Sequence, residues 1–164
     1  MLEEIASFVL NGFIKTIPIM LSNISPVLTA KAMPKLNYPV DFNKKLWDGK
    51  RLFGSHKTWR GVITMIITAL LFGYFTVGFN YSLLIGIGVV AGDLLTSVIK
   101  RKINLKPGAS FQPYESFLLI WSVFLIAWGL FNIYEMIVIT ILTVPVYKGF
   151  HYLGYWLKLK DKPW

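Results

Sequence analysis

Asp93, Ser97, Lys100 and Arg101 stand at i, i+4, i+7 and i+8. On a helix that spacing puts a carboxylate, a hydroxyl and two cations on one face. The run before them, "YSLLIGIGVVAG", is apolar. Asp93 therefore lies about 10 Å below the basic cluster that begins at Lys100, at the helical rise. A carboxylate at that depth is costly, and by default it marks a functional group with a cationic partner. A structural ion pair of Asp93 with Arg101 or a neighbour is the plainer alternative.

Two more stretches carry candidate chemistry. In "GSHKTWRG", Lys57, Thr58 and Arg60 precede a hydrophobic run. Glycine permits close backbone approach and the cations supply charge, a combination that suits a polyphosphate. The glycine spacing of a Walker motif is missing. A solvated basic loop explains the same composition. In "KPGASFQPYES", Pro107, Gly108 and Pro113 fix a non-helical loop bearing Lys106, and Glu115 stands where the next run begins. A carboxylate there is also a favourable helix N-terminal residue.

Other chemistries are excluded. There is no cysteine, hence no thiolate metal site or cysteine nucleophile. His56 and His151, the two histidines, lack zinc-ligand spacing. No serine-histidine-acid set is evident. The carboxylates available beside the basic loops are Asp41, Asp48, Asp93, Glu115 and Asp161. A hard cation such as magnesium, which keeps its own waters, needs only one or two of them.

The elements that hold these residues follow from composition. The chain is 55% hydrophobic and 16% aromatic, and its 15% of charged residues falls well below the usual soluble level of about 25%. That predicts an all-α, polytopic membrane bundle forming a single integral domain over 1–164. Five spans are expected, at about 5–30, 61–79, 81–99, 116–132 and 136–157, with polar loops at 31–60 and 100–115. The second and third spans should turn at Asn80, and the fourth and fifth around Asn132 to Glu135. The first span holds Asn11, Lys15, Pro18, Asn23 and Pro26, so it reads either as a cavity wall or as an interfacial helix followed by a broken span. The acidic start "MLEEIASFVLNGF" gives no sign of a cleavable leader.

Five spans put both polar loops and the C-terminus on one side. Every Lys and Arg except Lys15 falls there, so the positive-inside rule makes that side cytoplasmic and the N-terminus external. The net charge of +9 is thus distributed for membrane topology and anionic headgroups, with no nucleic-acid partner expected. The lipid bilayer is the expected surroundings.

The chain resembles the CDP-archaeol synthases, relatives of the CDP-diacylglycerol synthases. The likeness runs nearly end to end, through "P.DF.KK..DGKRLFG..KTWRG", "GDLLTSVIKRK..LKPG..F.P" and the terminal "LKLKDKPW". It implies transfer of the cytidylyl group of CTP to an isoprenoid ether-lipid phosphate of the 2,3-bis-O-(geranylgeranyl)-sn-glycerol 1-phosphate type, with release of pyrophosphate. It implies Mg2+ as cofactor and a site facing the cytoplasm from the cell membrane. By position, it implies Asp93, Lys100 and Arg101 as catalytic residues, with Asp93 and Glu115 toward the metal. Asn23, Asp48, Gly49, Lys57, Thr58, Arg60, Ser97 and Lys106 are implied on the substrates.

The chain departs from the family pattern after Pro113. Glu115 and Leu118 stand where an aspartate pair is usual, and Leu118 has no ligand atom. Ser55, His56, Lys148 and Tyr152 also differ in type from the pattern. The alternative these departures open is a catalytically degenerate relative that binds nucleotide or lipid phosphate without turnover. A transporter component is disfavoured, because no inverted repeat is visible.

Overall fold

The computed structural model describes residues 2–45, 49, 51–54, 56–105, 109 and 111–158. Among these, five α-helices follow one another: α1 (Leu2–Ala32), α2 (Trp59–Val77), α3 (Phe79–Lys102), α4 (Tyr114–Ile126) and α5 (Ile133–Trp156). Two isolated β-bridges in the first loop are the extended pairings among the described residues. Among the described residues, three stretches, Ser7–Ala32, α2 and α3, are long and apolar enough to cross a membrane.

α5, with 24 residues, covers the expected fifth stretch, whereas α4 falls short of the expected fourth. α4 has 13 residues, about 20 Å at the helical rise against a hydrocarbon core of about 30 Å. It ends because Ala127 caps it and Gly129 takes φ of 96°. Asn132 then opens α5 with a capping box, accepting from Glu135 N at 2.8 Å while Glu135 Oε2 accepts from Asn132 N at 3.0 Å. "AWGLFN" is thus spent on a turn. The α2–α3 turn falls at Gly78 and not at Asn80, because φ of 80° there suits a residue without Cβ.

α1 is one continuous helix despite Pro18 and Pro26. Pro26 has no N–H to offer the Ser22 carbonyl, and Ser25 Oγ donates to that carbonyl instead, at 2.8 Å. Ser22 Oγ donates to Met65 O on α2 at 2.6 Å. The proline segment therefore docks α1 on α2 through polar groups that keep one another satisfied.

α3 is the centre of the bundle. In lipid, helices gain little from hydrophobic exclusion and associate through close packing of small residues. Gly88 and Gly92 face α4 so tightly that a β-carbon on either would lie 2.7 Å from Val123 Cα or 2.6 Å from Leu119 Cα. These contacts fix α3 and α4 as antiparallel, in steps of four residues, which brings Glu115 level with Thr96. Ile85, Val89, Leu119, Ile120, Val123 and Phe124 fill the core around the seam.

At the opposite end, Lys15 is held by Glu135 at 2.8 Å and by the Leu130 carbonyl at 3.1 Å. Its ammonium also lies 5.8 Å from the Phe131 ring centroid. The one basic residue set apart from the loops by the sequence thus ties α1 to the α4–α5 turn.

Candidate active site

The loop before α2 is built around Asp41. Its carboxylate accepts from Arg51 Nη2 at 2.6 Å and from the Asn43 and Phe53 N–H groups at 3.1 and 3.4 Å. Burial pushes the Asp41 carboxyl up, but the Arg51 guanidinium and these backbone donors outweigh it and leave the pKa below the ordinary value. Downstream, Val40 N donates to Lys57 O at 3.0 Å and Trp59 N to Tyr38 O at 2.9 Å, which fixes the main chain at Lys57. Thr58 then caps α2, its hydroxyl oxygen accepting from Gly61 N at 3.3 Å.

These elements surround one cleft of about 670 Å³ between α1, α2, α3 and the start of α4. Asn23, Lys57, Thr58, Arg60, Asp93 and Glu115 all line it, together with Thr96, His56 and Lys31. The N-terminus of α2 opens on the cleft with no acid in its first turn, so its dipole adds to the positive field of Lys57 and Arg60.

Both acids are paired. Lys57 Nζ lies 2.6 Å from each Asp93 oxygen. Lys100 pairs with Glu115, whose Oε1 also accepts from Phe111 N at 2.8 Å. Glu115 thus does the work of an N-terminal helix residue and of a cleft wall at once. Arg60 Nη1 donates to the Met33 carbonyl, and its buried Nε has no hydrogen-bond partner among the described residues.

The remaining expected residues lie elsewhere. Ser97 Oγ bonds back to Asp93 O at 3.0 Å and is not among the cleft-lining residues. Lys100 reaches the cleft only through Glu115. Arg101 packs its side chain beneath Gly54, 3.8 Å from where a β-carbon would stand. Gly49 is exposed, with nothing among the described residues within 4 Å of where a β-carbon would stand. Asp48 and Lys106 lie outside the described residues.

Thr96 and Lys31 line the cleft but were not expected there. Thr96 sits at i+3 from Asp93, so helical spacing could have found it. Lys31 read as a topology charge, and it donates to Lys158 O at 2.8 Å.

Among the described residues no three His, Cys, Asp or Glu side chains converge as a metal cage. Two carboxylates lining one polar cleft suit a different class, a hard divalent cation completed by water and phosphate oxygens. The donor set fits magnesium in kind.

A family profile described as CarS-like, CDP-archaeol synthase, matches residues 5–164. The CDP-archaeol synthase of Pyrococcus furiosus is 31% identical, covering 95% of this chain and 98% of its own length. That of Sulfolobus acidocaldarius is 33% identical, covering 93% and 96%. A solved structure of an intramembrane enzyme for archaeal membrane lipids biosynthesis superposes with a TM-score of 0.70 at 20% identity, over 86% of this chain and 92% of that one. At that identity the structural likeness carries the fold alone. By the extent of the profile match and of the curated relatives, this chain belongs to the CDP-archaeol synthase family.

Proposed function

We propose that the protein transfers the cytidylyl group of CTP to an isoprenoid ether-lipid phosphate, of the 2,3-bis-O-(geranylgeranyl)-sn-glycerol 1-phosphate type, in the making of membrane phospholipids. The observation that carries this reading is the cleft: two carboxylates, Lys57, Arg60 and a helix N-terminus in one polar space, on a bundle rich in exposed apolar side chains. Family membership supplies the nucleotide and the lipid class.

The chemistry asks little of acid–base groups. A lipid phosphate oxygen attacks the α-phosphorus of CTP, the bond to the bridging oxygen of the β-phosphate breaks, and pyrophosphate leaves with that electron pair. The nucleophile is already anionic near neutral pH, so a catalytic histidine is dispensable. Lys57, Arg60 and the α2 N-terminus bind and orient phosphate oxygens where charge gathers. Asp93 and Glu115 would hold magnesium, which when bound supplies charge neutralisation for the phosphates.

The apolar groove between α1 and α5, lined by Phe13, Thr16, Met20, Ile120, Ile139 and Leu142, suits an isoprenoid chain. It shares one face of α1 with the cleft, since residues 13, 16, 20, 23 and 27 follow helical spacing. We place the whole chain in the cell membrane as one domain of five spans, N-terminus outside and the cleft open to the cytoplasm. The confinement of the basic residues supports that orientation. Bilayer thinning would let the short α4 cross.

The test is incubation of purified protein with labelled CTP, magnesium and the lipid phosphate. Formation of CDP-lipid and pyrophosphate is expected. Absence of CDP-lipid across several lipid phosphates, from folded protein, rejects the reading.

A further inference from the structure

We infer that Lys57 is a latch on the cation site, ion-paired to Asp93 until a polyphosphate draws it away, so that divalent cation and nucleotide enter cooperatively. The inference rests on the reading above in one respect, that Asp93 holds a divalent cation.

The geometry is specific. Lys57 Nζ is 2.6 Å from both Asp93 oxygens, so the ammonium occupies the carboxylate face that a cation would use. An ammonium and a dication cannot share those oxygens, because like charges at contact repel strongly in a partly dehydrated site. A bare cation must therefore expel Lys57 and leave its charge without a partner, a costly exchange in a cleft where both side chains are mostly buried. A triphosphate removes that cost by offering the displaced ammonium new oxygens.

The motion required is small. The Lys57 main chain is held by Val40, and Thr58 is fixed as the cap of α2. Only the four-carbon side chain has to swing, and lysine's flexible stem suits that role. The second acid repeats the arrangement, since Lys100 covers Glu115 from the same helix that carries Asp93. Coupling of this kind is reciprocal: whatever factor nucleotide adds to cation affinity, cation adds to nucleotide affinity.

The experiment is a Mn2+ titration by electron paramagnetic resonance on the full chain in detergent, with no nucleotide present. Lys57→Gln should bind Mn2+ about tenfold more tightly than the wild type, and Lys57→Arg should keep the weak wild-type affinity. The gain should vanish when Asp93→Asn is added to Lys57→Gln. Equal affinity of wild type and a folded Lys57→Gln overturns the latch, as does a gain that survives Asp93→Asn.

A second measurement needs no variant. The rate at which acetic anhydride modifies Lys57, read by mass spectrometry, should rise severalfold in wild-type protein saturated with Mn2+. An unchanged rate overturns the proposal. These nucleotide-free results decide the latch by themselves. Failure of CTP to bind would count against the cytidylyltransferase reading and leave them as they stand.

Discussion

Gly92 and Leu119 touch backbone to backbone, with room for no β-carbon: one built on Gly92 lies 2.6 Å from Leu119 Cα. Neither residue carries chemistry. Yet Asp93 is the next residue on α3 and Glu115 is one turn before Leu119 on α4, so this contact sets how near the two acids stand. Gly92→Ala must push the helices apart at the cleft, at a cost of about 1–3 kcal/mol. Thermal melting in detergent should show the loss, and turnover should fall further than stability does. Gly149→Ala is the control, since nothing among the described residues lies within 4 Å of a β-carbon there and alanine favours the helix.

Asp93→Asn keeps the size of the side chain and the main-chain carbonyl that receives Ser97 Oγ. The protein should remain folded, while magnesium-dependent turnover drops by about a hundredfold or more. Steady-state assays beside a melting curve check this. Near-normal turnover would take Asp93 out of the catalytic role.

Leu118 is not among the cleft-lining residues, although its neighbours Glu115 and Leu119 are. Its carbonyl receives Ser122 Oγ at 2.7 Å. The wild type is therefore expected to turn over CTP as it stands, and Leu118→Asp to change the rate no more than a few-fold. The opposite result, CTP binding without product in the wild type and turnover restored by Leu118→Asp, would establish the catalytically degenerate reading.

Asp41 gives the first loop a pH dependence of definite sign. Its folded pKa lies below the ordinary 3.8, so its ion pair and hydrogen bonds stabilise the loop fully above that value. The contribution is lost as pH falls through the lowered folded value. Asp41→Asn should cost about 1.5–3 kcal/mol near neutrality, the scale for hydrogen bonds to a charged group. The difference from wild type should shrink in strong acid. Melting curves of both proteins across pH, and proteolysis within the loop, would measure it.

Glu135 is buried and its partner Lys15 only partly so, and the two are unequal in substitution. Lys15→Leu leaves a buried carboxylate without its cation and should cost about 3–5 kcal/mol. Adding Glu135→Gln removes the stranded charge and keeps an acceptor for Asn132 N, so the double variant should be more stable than Lys15→Leu alone. A double-mutant cycle read by thermal unfolding tests this.

The sequence alone determined the membrane character and the helices, because composition and apolar periodicity are local properties of the chain. It also picked out Asp93, since a carboxylate at membrane depth is conspicuous without any fold, whereas Glu115, Lys57, Thr58, Arg60 and Asn23 entered as site residues through the family resemblance. Helical spacing could rank Ser97 and Thr96 only as neighbours of Asp93. The tertiary structure decided between them, because the Gly92–Leu119 contact fixes how α3 is rotated and turns Thr96 to the cleft. The partners of the acids were likewise undecided by sequence. Arg101 is nearer to Asp93 in the chain, but Lys57, 36 residues away, is the one that meets it. Which charges pair depends on how helices and loops are brought together, and that depends on close packing between segments far apart in the chain.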